Sequence, residues 1–246
     1  MNVDSTTESM AYSTEHAEIY DRIHASRGRD WAAEADTLAD LALRLRPGSL
    51  SLLDIACGTG EHLRRFAERF TTVAGVELSR GMCEIARRKQ PGVPVHHGDM
   101  RAFDLGRRFD VVTCMCFSLA YMASTDELNQ AVANMARHLD PGGVAIAEPW
   151  WFPERFLDGF VSGAVAQDER GVISRVSHSV RDGRRSRMTV RYTVAEVAGI
   201  KDFTETEVHS LFTRDEYETA FLLAGLKAEF REGGPNGRGL FVATHT

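Results

Sequence analysis

A short apolar run, Ser51-Leu52-Leu53, leads directly into Asp54-Ile55-Ala56-Cys57-Gly58-Thr59-Gly60, and beyond those glycines the periodicity changes from strand-like to helix-like. Such a segment folds as a strand that ends in a tight turn and opens a helix. Glycine lets the main chain turn sharply and approach a ligand closely, and a helix N-terminus favours a negative group. The alternation continues downstream: residues 60–70 read as a helix, 72–78 (TVAGVEL) as a strand and 79–90 as a helix. PVHHGD, FDVVTCMCF and GGVAIAEPW follow as strands, with a helix from Asp126 to Leu139 between the last two. Strands alternating with helices build a parallel sheet covered on both faces.

From Ser13 to Asp40 apolar residues recur at helical spacing with Gly28 interrupting, which predicts two helices ahead of this core. After Trp151 the pattern becomes long alternating segments, ISRVSHSVR and SRMTVRYTVAE around Asp182-Gly183, then DFTETEVHSLF. These predict antiparallel strands laid over the sheet. Thr213 and Glu216 form a capping box that opens a helix running to Gly225. The expected organisation is a single domain over 1–246: a helical cap (1–46), a binding core (47–149), an inserted antiparallel lobe (150–212) and a helix and strand completing the core (213–246).

A net charge of −6 argues against a general nucleic-acid binder, because phosphate backbones reward clustered positive charge. Cys57, Cys83, Cys114 and Cys116 read as reduced core thiols, and no further residues at ligand spacing suggest a metal. No apolar run is long enough to span a membrane, and the polar start lacks the features of a secretory signal, so a soluble, cytoplasmic protein is expected.

Three carboxylates stand at three successive strand ends. Asp54 precedes the glycine turn, Glu77 lies seventeen residues after Gly60, and Asp99 follows in His-Gly-Asp-Met. A carboxylate at the second strand end can accept both ribose hydroxyls of an adenosine, and open parallel sheets bind ligands along this edge. A dinucleotide fingerprint is excluded, because its third glycine falls where this chain has Leu63. The D-x-A-C-G-T-G, V-E-L-S and G-D-M segments resemble class I S-adenosylmethionine-dependent methyltransferases. The resemblance implies an α/β, Rossmann-like fold with a seven-stranded sheet whose last strand runs antiparallel. It also implies a cofactor site of Tyr20, Asp54, Ala56, Gly58, Gly60, Glu77, Asp99, Met100 and Met115. In it Ala56 and Tyr20 lie at the methionine end, Glu77 holds the ribose, Asp99 and Met100 hold the adenine, and Met115 lies against the adenosine.

A methyltransferase core does not name its acceptor. That information lies in the cap Tyr20-Asp-x-Ile-His-x-x-Arg-Gly-Arg29-Asp-Trp31, in Glu148-Pro-Trp150-Trp151-Phe-Pro, in Arg175-Val-Ser177-His-Ser-Val and in Gly233-Gly-Pro-Asn236-Gly-Arg238-Gly-Leu-Phe. Tryptophans can stack on a flat base and arginines can bind a diphosphate; Arg184, Arg185 and Arg187 read instead as a solvated edge. Together the four segments resemble, over nearly the whole chain, the N,N-dimethyltransferases of dTDP-linked aminosugars in macrolide antibiotic pathways. Met188-Thr-Val-Arg-Tyr-Thr-Val-Ala-Glu and the cap bring it nearest the forosamine branch, which methylates a 4-amino sugar. The 3-amino branches, desosamine and mycaminose, often carry tyrosine at the position of Trp31, and one carries histidine at that of Tyr121. The resemblance places Tyr12 and Tyr121 beside the acceptor amine, as the catalytic pair, and Trp31, Trp150, Ser177 and Arg238 on the nucleotide, with Arg29 as a phosphate candidate. It further implies a homodimer. His97 and His178 read as structural, and no convincing base stands out for a hydroxyl acceptor. A cofactor-binding regulatory protein without catalysis is the non-enzymatic alternative.

Overall fold

The structure, a computed structural model, describes residues 12–245. Helices α1 (Thr14–Ser26) and α2 (Trp31–Leu45) come first, capped where the side chains of Ser13 and Asp30 accept the amides of His16 and Ala33. The core alternates as expected: β1 (Ser51–Ile55), α3 (Glu61–Arg69), β2 (Thr72–Glu77), α4 (Arg80–Lys89), β3 (Val95–His97), β4 (Phe109–Cys114), α5 (Thr125–Arg137) and β5 (Leu139–Ala147). A 3₁₀ turn at Ser118–Tyr121 follows β4. After the lobe come α6 (Arg214–Leu223), which carries the expected capping box, and the hairpin β10 (Leu226–Arg231) and β11 (Leu240–His245).

The seven strands lie in the order β10-β11-β5-β4-β1-β2-β3. Strands β1 to β5 run parallel, and β11 pairs antiparallel with both β5 and β10. Successive strand residues point to opposite faces, so both faces of such a sheet must be apolar. Leu53 and Ile55 pack with Leu128, Met135 and Phe221 on one side. Leu52 and Val111 pack with Leu38, Leu63 and Phe66 on the other. Each such fully buried side chain contributes about 1.5–3 kcal/mol.

The lobe is a separate four-stranded antiparallel sheet, β6 (Phe160–Asp168), β7 (Gly171–Asp182), β8 (Arg185–Glu196) and β9 (Gly199–Ser210). Helix α1 lies on its inner face, where Ile19 and Ile23 join Ile173, Val190, Tyr192 and Val194. Arg22 fastens the helix there, with a fork to Asp168 at 2.7 and 2.8 Å and a bond to Glu196 at 2.8 Å. The cap therefore bridges the lobe to the carboxyl edge of the parallel sheet. Strands β6 and β10 were not foreseen. β6 is an edge strand whose Phe160, Val161 and Val165 are exposed, so its apolar residues do not report burial. β10, also at an edge, alternates apolar with charged residues over only six positions.

Candidate active site

One cavity of about 1010 Å³ runs from the carboxyl ends of β1, β2 and β4 to the inner face of the lobe. On the sheet side its wall is the turn after β1. Ala56, although not glycine, takes a left-handed backbone with φ 57°, and so do Cys116 and Phe117 after β4, at 56° and 55°. Three non-glycine residues in this sparsely allowed region mark a backbone shaped for a ligand. Gly60, at φ 81°, caps α3, and an added Cβ there would lie 3.1 Å from that of Ala86.

Glu77 organises the turn. Its Oε2 accepts the Gly58 amide at 2.9 Å and its Oε1 accepts the Ser79 amide at 2.7 Å. A carboxylate has about four lone-pair sites, so Glu77 retains acceptor capacity for a ribose hydroxyl beyond these amides and that of Leu78. Burial pushes the Glu77 carboxyl upward, and the amides of Ser79 and Gly58 oppose that shift. Asp54, also buried, accepts the Thr113 hydroxyl at 2.7 Å, and burial pushes its pKa up to about 6. Asp99 accepts the Arg101 amide at 2.9 Å and holds the Arg101 guanidinium, which also reaches Glu127 at 2.8 Å. The donor set thus fits an adenosine with a charged methionyl end: paired acceptors for a diol, carboxylates for an ammonium, and amides at a helix start. The cap closes over this turn, where the Thr59 hydroxyl donates to Asp21 at 2.6 Å.

Arg29 presents its fork to Glu34, with both bonds at 2.8 Å, and reaches the Cys116 sulfur at 3.0 Å. Its guanidinium lies 3.8 Å from the centroid of the Trp31 ring. Trp31 also stacks near Tyr20 and meets His62 edge-on. These two cap residues therefore belong to the glycine-turn side of the cavity.

On the lobe side, the hydroxyls of Tyr12 and Tyr121 lie 2.7 Å apart. Both donate towards Glu207 Oε2, Tyr121 at 3.2 Å and Tyr12 at 3.4 Å. Burial pushes the Glu207 carboxyl up to about 7, opposed by the charge of Arg175 and the Tyr121 hydroxyl. Burial also raises both tyrosines, which stay neutral. His209 sits 3.6 Å from Glu207 Oε2 among the rings of Tyr121, Phe117 and Trp150, and burial drives its pKa down to about 3.

Further along, Arg238 pairs with the fully buried Glu148 at 3.3 Å, and Asn236 donates to the same oxygen at 2.9 Å. The Arg238 guanidinium also lies over Phe117, Trp150 and Trp151 at 4.8, 5.4 and 5.8 Å. Trp150 donates to Ser186 at 3.0 Å, and Ser177 accepts from Arg175 at 2.9 Å. Arg238 depends on the next residue: a Cβ at Gly239 would fall 2.2 Å from the Phe230 ring.

Every cofactor- and acceptor-site residue named from the sequence lines this cavity except Gly60, which caps α3 at its wall. Cofactor candidates and tyrosines meet in one space, with the Trp150–Arg238 group at its far end. His97 bonds the Leu78 carbonyl at 2.8 Å. Arg184 and Arg187 pair with Glu216 and Asp182 at the surface, as expected of a solvated edge. The sequence reading overlooked Glu207 and Arg175. Strand alternation could have found both: Phe203, Glu205, Glu207 and His209 share one face of β9, and Ile173, Arg175 and Ser177 share the buried face of β7.

The methyltransferase domain family matches residues 52–143. The chain is 61% identical to the dTDP-4-amino-2,3,4,6-tetradeoxy-D-glucose N,N-dimethyltransferase of Saccharopolyspora spinosa, over 95% of this chain and 94% of that protein. It is 50% identical to the dTDP-3-amino-3,4,6-trideoxy-alpha-D-glucopyranose N,N-dimethyltransferase of Streptomyces venezuelae, over 94% of this chain and 98% of that one. Among solved structures it resembles the SAM-bound amino pentose methyltransferase CalS10 of Micromonospora echinaspora, with a TM-score of 0.85 and 46% identity over 96% of this chain and 98% of that one. These likenesses extend through the cap and the lobe as well as the core, so the chain belongs to the S-adenosylmethionine-dependent N,N-dimethyltransferases of nucleotide-linked aminosugars.

Proposed function

We propose that this enzyme methylates twice the amino group of dTDP-4-amino-2,3,4,6-tetradeoxy-D-glucose, yielding dTDP-D-forosamine for a macrolide-type antibiotic. The observation that carries the reading is the single cavity joining the Glu77 turn, the Tyr12–Tyr121 pair and the Arg238–tryptophan cluster. The 61% identity to a 4-amino enzyme, against 50% to a 3-amino enzyme, supports the ring position.

Bound S-adenosylmethionine supplies an electrophilic methyl group on a sulfonium. Glu77 holds the ribose through its remaining lone pairs, Asp99 and Met100 bracket the adenine, Met115 lies against the adenosine, and Tyr20, Asp54 and Ala56 face the methionine end. The contacts of Arg29 and Trp31 favour that end for them too, because Glu34 already occupies the Arg29 fork. Trp150, Ser177 and Arg238 anchor the nucleotide, and Tyr12 and Tyr121 orient the sugar nitrogen. Positive charge passes from sulfur to nitrogen, so little new charge needs stabilising. Alignment of the lone pair and exclusion of water then provide most of the acceleration, for which oriented reactants contribute about 7–11 kcal/mol.

Organisation as one domain with a cap and an inserted lobe, action in the cytoplasm and assembly as a homodimer complete the reading. Exposed Val161, Val165, Val176 and Ile200 on the lobe support a partner copy, which sedimentation would test. The substrate is tested by initial rates on the 4-amino and 3-amino sugar nucleotides side by side. A higher kcat/KM for the 4-amino compound is expected, and preference for the 3-amino compound would move the enzyme to the other branch.

A further inference from the structure

The tyrosine pair does not account for the buried acid behind it. Glu207 is 8% exposed, lines the cavity, and brings Oε2 within 3.2 Å of one tyrosyl oxygen and 3.4 Å of the other. Its Oε1 makes no hydrogen bond among the described residues. The two hydroxyls are 2.7 Å apart, close enough for either to donate to the other in place of Glu207. If Tyr12 donates to Tyr121 and Tyr121 to Glu207, the Tyr12 oxygen still offers lone pairs to a nitrogen-bound hydrogen. The result is a hydrogen-bonded chain from the expected amine position to a carboxylate.

The chemistry requires such an acceptor. An aminosugar reaches a neutral solution largely as its ammonium, which has no lone pair to attack with and is repelled by a sulfonium. Other cavity groups are committed or too weak. Glu34, Asp54, Glu77 and Asp99 belong to the glycine-turn side. His16, held by the Tyr192 hydroxyl at 3.1 Å, and His209 are driven by burial down to about 4 and about 3.

We propose that Glu207 accepts the proton of the sugar ammonium, directly or through the Tyr12–Tyr121 hydroxyls, once before each methyl transfer. This rests on the dimethyltransferase reading above. In each round R–NH₃⁺, or R–NH₂CH₃⁺ in the second, gives its proton to the Glu207 carboxylate. The freed lone pair forms the C–N bond as the C–S bond breaks, leaving a neutral thioether and a new ammonium. Glu207 releases its proton to solvent when the products leave, and the tertiary ammonium R–NH(CH₃)₂⁺ departs charged. The groups that set Glu207 are Tyr12 and Tyr20 from the cap, Arg27 after α1, Tyr121, Arg175 on β7, Tyr192 on β8, and Glu205 and His209 on its own strand. Arg175, 5% exposed, makes no ion pair with a carboxylate among the described residues; it donates to Ser177 and touches the Met188 sulfur, so its charge is available to keep Glu207 ionisable. The carboxyl's pKa of about 7 suits a group that takes and releases a proton near neutrality.

The test is kcat/KM from pH 6 to 9.5 for wild type, Glu207→Gln and Glu207→Asp, with dTDP-4-amino-2,3,4,6-tetradeoxy-D-glucose. Wild type should rise as Glu207 ionises and then hold a plateau, because the carboxylate frees the amine well below the pH at which the amine loses its proton in solution. Glu207→Gln should show one rising limb that follows the amine, about 10²-fold below wild type at acid pH and converging on it at alkaline pH. Glu207→Asp should restore part of the rate at acid pH. A Glu207→Gln profile parallel to wild type, or equal to it, overturns the assignment alone. No transfer by wild type to any dTDP-aminosugar overturns both this and the function. Calorimetry on wild type saturated with S-adenosylhomocysteine, in buffers of different ionisation heat, is independent of how the variants fold. At pH 8, aminosugar binding should release clearly less than one proton, because the carboxylate retains it, and release of one whole proton per site overturns the assignment.

Discussion

Replacing Glu77 with glutamine changes one carboxylate oxygen into an amide NH₂ and leaves the side chain's shape intact. In the native chain the two oxygens accept the Gly58 and Ser79 amides at 2.9 and 2.7 Å, in a site only 7% exposed. Glutamine can accept one of those amides and must present a donor to the other. One buried N–H then loses its partner, at a cost of about 1–3 kcal/mol to the free protein. The cofactor loses one charge-assisted acceptor for its ribose diol and meets a misaligned turn. A hydrogen bond to a charged group contributes about 1.5–3 kcal/mol, so affinity should fall about 10- to 150-fold. Titration calorimetry with S-adenosylhomocysteine at pH 8 measures this, and circular dichroism verifies that the variant is folded. A dissociation constant within about twofold of wild type, on folded protein, would refute the idea that the Glu77 carboxylate grips the ribose.

Tyr121→Phe removes the hydroxyl shared with Tyr12 and Glu207 but leaves the ring; turnover should drop about 10-fold without vanishing, and a loss to assay background with both ligands still bound would make Tyr121 an obligatory proton carrier. Arg238→Gln should raise KM for the sugar nucleotide about 10- to 100-fold with kcat largely kept, and should also lower the melting temperature because buried Glu148 loses its cation; steady-state kinetics and a thermal melt check the two effects. For Glu207 the folded pKa of about 7 lies above the ordinary carboxylate value, so the folded chain holds a proton there that the unfolded chain has released. Its contribution to stability is present below about pH 4.5 and is lost as pH rises towards 7, by a few kcal/mol in total. Glu207→Gln should therefore be increasingly more stable than wild type from pH 5 to pH 8 in the absence of ligands, and a melting-temperature difference independent of pH would contradict this.

The core was legible because its chemistry is local in sequence. A glycine turn, an acid at the end of β2 and another just past β3 each stand at a strand end, and the order of the strands brings them together. The acceptor side was less legible because its members meet only through tertiary contacts. Glu207 reads as one of several acids in DFTETEVHS, and only its place on the inner face of β9, opposite a tyrosine contributed from before α1, makes it distinctive. The family resemblance put Trp31 on the nucleotide, and no local pattern reports that its ring lies under Arg29 and stacks near Tyr20. The pairing of Arg238 and Asn236 with Glu148 likewise joins residues about ninety positions apart, which no local pattern reports.

In the proposed reaction one nitrogen of a nucleotide-linked sugar receives two methyl groups in this cavity. Incubation of the protein with trideuteriomethyl-labelled S-adenosylmethionine and dTDP-4-amino-2,3,4,6-tetradeoxy-D-glucose, followed over time by mass spectrometry, tests it directly. A product with one labelled methyl group should rise and then give way to one with two, both on the amine. An unchanged sugar nucleotide in the presence of protein that still binds S-adenosylhomocysteine would contradict it.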